Sequence, residues 1–315
     1  METVAEPLAA DRAARERCAV LDRSERGKLA LTGDQAKTFL QGQVTNDVEG
    51  LQPGEGCYAA VLSPKGKMLG DLRILDVGDE LWLDTERSAL QAIFNVLHRA
   101  RVGYGAELHK RTLQQGLLSL VGPDARRVAG AEALPEAEHA NAPVSVDGIA
   151  ARAIVTDLGI DLVCDASQTA ALVAALVARG AEPVAEAAIE VLRVERGRPR
   201  DGVDLDDATI PHVAGLNERA VSFTKGCYVG QETVARLHYK GKPNRHLRGL
   251  RLTEPVAPGT ELSVDGRVVG RVGSVVASPA LGPIALALVR REAEPGDELA
   301  AGAASATVVE LPFVV

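Results

Sequence analysis

The chain has few cysteines, and none of them is paired in the sequence. Its four cysteines form no C-x-x-C pair, which is the usual start of a structural zinc site: Cys18, Cys57, Cys164 and Cys227. A disulfide framework is typical of much smaller secreted chains than one of 315 residues. The sequence therefore predicts no metal site, and it predicts reduced thiols in a cytoplasm.

Long apolar runs are also missing. No uninterrupted apolar stretch is long enough to cross a membrane. The opening segment, METVAEPLAADRAARERC, lacks the apolar core of a signal peptide. Its Ala and Arg content is similar to that of an organelle transit peptide, but its acidic residues argue against that interpretation. We therefore predict a cytoplasmic chain without membrane contact.

Positive charge is scarce overall and concentrated in one place. The formal net charge is −8, so the surface as a whole does not attract polyanions. Between Lys225 and Arg251, however, there are seven Lys and Arg residues and one acid, Glu232. This stretch suits either an anionic partner (a polycarboxylate tail, a phosphate or RNA) or a solvated strand edge. Its aromatic residues are few, Tyr228 and Tyr239, so base stacking is weakly indicated.

The length and an internal repeat indicate more than one domain. A chain of 315 residues usually forms two or three domains. The segments KLALTGDQAKTFL (28–40) and LLSLVGPDARRVA (117–129) share a strand, a glycine and a short helix, with Gly33 and Gly122 predicted at the turns. Segments 80–103 and 161–183 also correspond, each as a strand followed by an amphipathic helix. Each half is therefore predicted to be β-α-β-β-α-β, a ferredoxin-like unit.

After residue 240 the pattern changes to short strands separated by Gly and Pro turns. The Asp-Gly pair at 265–266 predicts a hairpin turn, and no helical period competes. We predict an α+β fold in which a duplicated ferredoxin-like region precedes an antiparallel β-barrel. The predicted domains are an N-terminal extension (1–20), a duplicated region with its linker (21–239, with halves at about 21–112 and 113–200) and the barrel (240–315).

The segment SFTKGCYVGQETVARLHYKGK (222–242) lies in the linker and contains Cys227. The flanking Gly226 and Gly230 would let the backbone approach a ligand, and Lys225 would favour a thiolate nearby. No histidine is assignable as a base. The residues alone leave two alternatives for Cys227, a reactive thiol or a small buried residue in a turn.

Two acids are also candidates for chemistry. Asp71 follows a glycine-containing hairpin and begins a strand-like segment. Glu195 lies in a helix-like segment, EVLRVERG, where a carboxylate could accept two adjacent N–H donors of a ligand edge. The residues alone favour a different role for Glu195, a surface ion pair with Arg193 or Arg196.

Together these segments resemble a known family. KGCYVGQETVAR resembles the motif of the YgfZ-type folate-binding proteins, a branch of the glycine-cleavage T-protein (aminomethyltransferase) family. The block LTGDQAKTFLQGQVTNDVEGLQPGEGCYAAVLSPKGKMLGDL and the segment LRVERGRPRDGVDL are similar to further family segments. The resemblance covers nearly the whole chain from about residue 20, and it implies a cloverleaf-like arrangement around tetrahydrofolate or a one-carbon or polyglutamyl derivative of it.

The resemblance also implies roles for particular residues. Glu195 matches the acid that binds the pterin edge. Asp71 matches the second acid of an Asp-Asp-Leu stretch that assists transfer at folate, although Gly70 replaces the first acid. The resemblance implies folate contacts for Glu195, Asp71, Asp84, Lys225, Tyr228 and Gln231, and chemistry for Cys227 and Asp71.

Three functional hypotheses follow. The first is a cytoplasmic, tetrahydrofolate-binding accessory protein for the maturation or repair of iron–sulfur enzymes, including those of tRNA modification. The second is a folate-dependent aminomethyltransferase or demethylase that uses Asp71. The third is an RNA-binding adaptor in which the 225–251 stretch makes a weak contact with tRNA or another anion. The sequence leaves open whether the chain is an enzyme.

Overall fold

The computed structural model describes residues 5–314 of the chain. These residues form two compact units. The sheet unit contains the chain up to Leu62 together with Leu69–Ala188 and Arg219–Val229. The barrel unit contains Ser63–Met68, Ile189–Glu218 and the chain from Gly230 onward. Because the units cross the predicted domain bounds, those bounds stay a prediction; residues 1–4 of the predicted extension lie outside the described residues.

The sheet unit begins with a helix and a strand, and its first half then forms a five-stranded sheet. The elements are α1 Ala5–Glu16, β1 Ala19–Asp22, β2 Gly27–Thr32, α2 Ala36–Gln41, β3 Gly56–Leu62, β4 Met68–Asp76, β5 Leu81–Thr85, α3 Leu90–Ala100 and β6 Glu107–Lys110. The strand order is β3-β4-β5-β2-β6. Alternating apolar residues of these strands pack on one face with α2 and α3, around Phe39 and Ile93.

The second half repeats this element order. Its elements are β7 Gln115–Val121, α4 Ala125–Ala129, β8 Asn141–Val146, β9 Ile149–Val155, β10 Gly159–Asp165, α5 Thr169–Ala178 and β11 Glu182–Pro183. The sheet order, β11-β1-β7-β10-β9-β8, matches that of the first sheet except that β1 is inserted between β7 and β11. The α+β fold with a duplicated half is therefore confirmed, and each half has one strand more than the βαββαβ unit.

Two glycines show why the repeat folds alike in both halves. Gly33 and Gly122 have φ angles of 106° and 120°, a region that suits glycine. A side chain at Gly33 would place its Cβ 2.2 Å from the carbonyl oxygen of Gly105. Both strand-to-helix turns predicted from the sequence are confirmed.

The two sheets of this unit contact one another through a small apolar cluster. Leu75 and Trp82 of the first sheet pack with Leu117, Ile154 and Val163 of the second. This cluster joins the halves, whereas each half has its own larger core on the helix side.

The barrel unit contains a closed barrel of six antiparallel strands. The strands are β12 Arg245–Leu252, β13 Glu261–Val264, β14 Arg267–Ser278, β15 Gly282–Arg290, β16 Glu298–Ala301 and β17 Ala304–Val309, in the order β12-β15-β14-β13-β16-β17. Asp265 and Gly266 both have positive φ between β13 and β14, which confirms the predicted hairpin turn.

The helices between the duplicated part and the barrel are α6 Glu186–Glu195, α7 Asn217–Ala220 and α8 Gln231–Lys240. Among the described residues, no helix is both long and apolar enough to span a membrane.

Candidate functional site

A buried carboxyl and a tyrosine hydroxyl meet in the first sheet. Asp71 lies in β4 and is 8% exposed, and the hydroxyl of Tyr58, in β3, donates a hydrogen bond to its Oδ2 atom. Burial raises the pKa of Asp71, although the Tyr58 hydrogen bond and the charge of Arg26 act in the opposite direction. Burial and the nearby Asp71 also raise the pKa of Tyr58. Asp71 is thus a carboxyl that holds its proton to a higher pH than usual, as a general acid or base requires.

Tyr58 is itself held from the segment that precedes the Cys227 motif. The guanidinium of Arg219 lies 5.2 Å from the centroid of the Tyr58 ring. The amide of Asn46 donates to the carbonyl oxygens of Tyr58, at 2.8 Å, and of Arg219, at 3.2 Å. The Thr45 hydroxyl donates to the carbonyl oxygen of Ala220 at 2.5 Å. The Thr45–Asn46 step therefore fixes Tyr58 and Arg219 relative to each other.

Sequence analysis missed Tyr58 and Arg219. The signal available was weak, because Tyr58 is one of several residues in a strand pattern and its contact depends on the neighbouring strand. Arg219 lies more than 140 residues further along the chain.

Asp84 is buried in a different environment. Its carboxylate accepts hydrogen bonds from Arg26, at 2.8 Å, and from Arg73 on the adjacent strand. Burial alone would raise the pKa of Asp84, but the two guanidiniums outweigh this and hold it well below the usual range. Arg73 also donates to Asp161 of the second sheet at 2.7 Å. Both oxygens of Asp84 are engaged in this network, which joins the two sheets; its predicted contact with folate stays a prediction.

Lys225 of the KGCYVGQE motif anchors that motif within the sheet unit. Its ammonium donates to three carbonyl oxygens, those of Gln41 at 2.6 Å, Val44 at 2.9 Å and Asn46 at 2.8 Å. It also lies 5.2 Å from the centroid of the Tyr228 ring. Burial lowers the pKa of Lys225 to about 8. These contacts hold the motif against the loop that follows α2.

Cys227 lies two residues after Lys225 and is exposed. This excludes the alternative that Cys227 is a small buried residue in a turn. In the described part of the chain it has no hydrogen-bond partner and forms no disulfide. The charge of Lys225 also acts on the thiol of Cys57, whose pKa burial raises to about 12 despite the lysine. Burial also raises the pKa of Cys18, to about 11, and that of Cys164. Cys227 is therefore the exposed thiol among the four, whereas Cys57 is half-buried and Cys18 and Cys164 are buried.

Glu195 and Gln231 lie in the barrel unit. Glu195 is 4% exposed and accepts a hydrogen bond of 2.6 Å from the hydroxyl of Ser278. Glu195 is therefore buried and not at the surface, where the residues alone favoured an ion pair, and Arg193, one of its two predicted partners, pairs instead with Glu190 and with Asp204 at 2.9 Å. Gln231 is the first residue of α8 and is half-buried.

The predicted site residues thus fall into separate groups. In the sheet unit, Lys225 and Tyr228 are in contact, while Asp71 and Asp84 have different partners. Glu195 and Gln231 belong to the barrel unit. Among residues 5–314, no cluster of three or more His, Cys, Asp or Glu side chains could hold a metal ion.

Comparison with known proteins identifies the family. The model of the GCVT N-terminal domain matches residues 5–225, and that of the glycine cleavage T-protein C-terminal barrel domain matches residues 245–314. The crystal structure of the glycine cleavage system aminomethyltransferase T from Bartonella henselae superposes with a TM-score of 0.86 at 26% identity, over 98% of this chain and 89% of that one.

A curated plant protein is also similar. It is the chloroplastic protein At1g60990 of Arabidopsis thaliana, whose name gives a transferase but no substrate, and it is 29% identical over 266 residues. The match covers 81% of this chain, which spans only 61% of that protein's length. Since the two family models match most of the described residues, in the order that the fold shows, the chain belongs to the glycine cleavage T-protein family.

Proposed function

We propose that this protein binds tetrahydrofolate, or a one-carbon or polyglutamyl derivative of it, as a cytoplasmic member of the YgfZ-type branch. Its role would be that of an accessory protein in the maturation or repair of iron–sulfur enzymes, including those of tRNA modification. Family membership and the similarity to an aminomethyltransferase support the folate proposal. The observation that carries the accessory role is the exposed Cys227 on a loop that Lys225 anchors.

Buried carboxyls are suited to the pterin part of folate. A pterin edge presents adjacent N–H groups, and a carboxylate accepts two of them in parallel. Asp71 and Glu195 are both buried, so a ligand bound to either would be shielded from competing water. We assign the pterin contact to Glu195 and leave Asp71 to proton transfer, because Asp71 has the raised pKa.

Calorimetric titration with tetrahydrofolate under anaerobic, reducing conditions tests the folate proposal. We expect Glu195→Gln to weaken binding by roughly 10- to 100-fold, the usual cost of losing a hydrogen bond to a charged group. Glu254→Gln is a matched control, because Glu254 is an exposed glutamate of the same unit. Absence of heat with the wild-type protein, or equal affinity for Glu195→Gln, would show that the proposal is wrong.

Genetic complementation tests the accessory role. In a strain lacking this gene, iron–sulfur enzyme activities should fall and the wild-type gene should restore them. If the thiol of Cys227 takes part in chemistry, neither Cys227→Ser nor Cys227→Ala will restore them. Full rescue by both variants would remove Cys227 from the function, and normal activities in the deletion strain would contradict the accessory role itself.

The pair of Asp71 and Tyr58 favours a second candidate, a folate-dependent one-carbon transferase. A carboxyl with a raised pKa would pass on the protons when one folate nitrogen displaces ammonia from an aminomethyl carbon and the second folate nitrogen displaces the group that carried this carbon, since each nitrogen loses a proton and each leaving group gains one. Formation of methylene-tetrahydrofolate from an aminomethyl donor, abolished by Asp71→Asn, would support this candidate. No product with any donor, together with normal folate binding, would leave the accessory role.

A further inference from the structure

The barrel unit contains a groove that the proposed folate site does not use. It has a volume of about 550 Å³ and opens between the turn at 64–66, the segment 206–213, α8 and the start of β12. This size is in the range of pockets that hold small molecules or a few side chains. We call it the cationic groove, after the residues on its rim.

The floor of the groove is aliphatic. Ile210, Val213, Leu237 and Leu288 line it, and each of them is only half-buried. Apolar side chains that remain partly in water favour a ligand that covers them. The lining contains no aromatic side chain among the described residues.

The rim is positively charged and uncompensated. Lys65 and Lys67 lie on one side, and Lys242 and Arg245 follow α8 on the other; all four are exposed. None of the four has an ion-pair partner in the part of the chain that the structure describes. The single acid in the lining, Asp206, already accepts hydrogen bonds from Thr209 and from the backbone of Ala208.

Two adjoining cavities are lined by further positively charged side chains. Arg245 and Leu288 also line a cavity of about 780 Å³, which Arg290 enters. Arg245 and Arg290, with Arg291, line a third of about 380 Å³. Arg290 and Arg291 likewise lack an ion-pair partner among residues 5–314. Six cations therefore line three cavities that share residues, and the adjoining two add only two acids, Asp204, which pairs with Arg193, and Glu292.

We propose that the cationic groove binds an acidic peptide segment of a partner protein, with an aliphatic side chain of the peptide on the groove floor. Like charges crowded on a rim repel one another until an anion neutralises them, so the peptide carboxylates stabilise the bound state. The aliphatic floor requires an apolar group between those carboxylates. Single-stranded RNA fits less well, because its bases bind by stacking on aromatic side chains that this lining lacks.

Only part of the positive charge of the 225–251 stretch belongs to this groove. Lys225 is engaged with backbone carbonyls and Arg248 pairs with Glu310 at 3.2 Å, so neither is available to an anion. Lys242 and Arg245 are available, and they act with Lys65 and Lys67, which are distant in sequence. The anion site is thus a groove of the folded barrel unit and not the whole linear stretch.

Fluorescence anisotropy with a labelled peptide tests the proposal. The probe is a peptide of four glutamates surrounding two leucines, compared with the same peptide carrying serine for leucine and with a twelve-nucleotide single-stranded RNA. We expect the leucine peptide to bind, its affinity to fall with added NaCl, and the serine version to bind at least fivefold more weakly.

Charge reversal locates the binding. The double variant K67E/R245E should weaken peptide binding at least tenfold, whereas R251E should leave it within twofold. Arg251 is an exposed arginine of β12 outside the groove, with no ion-pair partner in the described part of the chain, so R251E tests a charge reversal elsewhere in the same unit. Melting temperatures within about 2 °C of wild type show that the variants are folded.

Three results would overturn the proposal. The first is no binding of the leucine peptide at millimolar concentration. The second is equal binding by wild type and K67E/R245E. The third is tighter binding of the RNA than of the peptide with the same sensitivity to charge reversal, which would assign the groove to nucleic acid. Because Glu195, the residue that the folate titration tests, is not among the residues that line the groove, these outcomes are independent of that titration.

Discussion

Replacing Asp84 with asparagine tests whether the charge network between the two sheets contributes to stability. Asp84 lies opposite Arg73 in the register of β4 and β5, so the carboxylate and guanidinium meet across adjacent strands. Their side chains are 8% and 9% exposed. Asparagine keeps the size of the side chain and removes its charge, which leaves Arg26 and Arg73 without a shared anion.

The magnitude follows from the partners that remain. Breaking a buried ion pair by neutralising one side costs about 3–5 kcal/mol. Here Arg73 keeps Asp161 at 2.7 Å and Arg26 keeps Glu86, so each cation retains one carboxylate. We therefore expect Asp84→Asn to lower the free energy of unfolding by about 2–4 kcal/mol, somewhat less than the loss for a cation left with no partner.

Urea unfolding followed by tryptophan fluorescence measures this loss of stability in the sheet unit, which contains Asp84. The chain has one tryptophan, Trp82, which lies in β5 and packs in the cluster between the sheets. Asp79→Asn is the matched control, because Asp79 is an exposed carboxylate in the connection between β4 and β5. We expect this control to change the unfolding free energy by less than about 0.5 kcal/mol.

The pH dependence gives an independent check. The pKa of Asp84 is lowered by folding, so its contribution is fully present above the pKa of about 3.9 for an unfolded aspartate and is lost as the pH falls toward the folded value. The difference between wild type and Asp84→Asn should stay constant from pH 8 to pH 5 and shrink below about pH 4. A variant as stable as wild type, or a difference that grows in acid, would refute this account of the network.

Further expectations concern Asp71, Lys225 and the thiols. Burial gives folded Asp71 a pKa above that of the unfolded chain, so the wild-type protein loses stability as the pH rises from the unfolded pKa through the folded one. Asp71→Asn should therefore raise the free energy of unfolding at pH 7 by about 0.5–2 kcal/mol. A lower free energy of unfolding would mean that the Asp71 carboxylate contributes to stability. Tyr58→Phe, which removes the hydroxyl bound to Asp71, should cost about 1 kcal/mol in the same urea titration, and no change would contradict the hydrogen bond. Lys225→Met should speed hydrogen exchange of the backbone amides at 222–229 without affecting those of the barrel strands. Unchanged exchange would contradict the conclusion that Lys225 anchors this segment. Dithiobis-nitrobenzoate should label Cys227 fastest in the native protein, a reaction that Cys227→Ser lacks, and should label four thiols in urea; equally rapid labelling of a second native thiol would contradict the burial of Cys18 and Cys164 and the half-buried position of Cys57.

The repeated architecture was predictable because its signals are local. The glycines that close the strand-to-helix turns, and the Asp-Gly pair of the barrel hairpin, have backbone angles that few other residues tolerate. Such positions can be recognised without knowing which strands pair. The insertion of β1 between β7 and β11 had no such signal, since it depends on contacts between strands almost 100 and 160 residues apart.

The partners of the site residues were not predictable for the same reason. An aspartate in a strand pattern has a predictable face, but the group opposite it depends on the register of the sheet. Sequence reasoning took Lys225 as a charge acting on Cys227, the neighbour in sequence. Folding places its ammonium among three carbonyl oxygens at the end of α2 and in the loop that follows, where its charge also lowers the pKa of Cys57, a residue distant in sequence.

The two acids of the first sheet show that the group bound to a buried carboxyl determines its pKa. Asp71 and Asp84 lie on adjacent strands and are about equally buried, at 8% and 6% exposed. Asp84 meets two guanidiniums and stays ionised, so it can hold the sheets together but cannot exchange a proton near neutral pH. Asp71 meets a neutral hydroxyl, and burial raises its pKa toward the range in which a carboxyl can give and take a proton. A glycine at position 70 is therefore compatible with the proposed proton transfer by Asp71, because the hydrogen-bond partner of that carboxyl is Tyr58 and not the preceding residue.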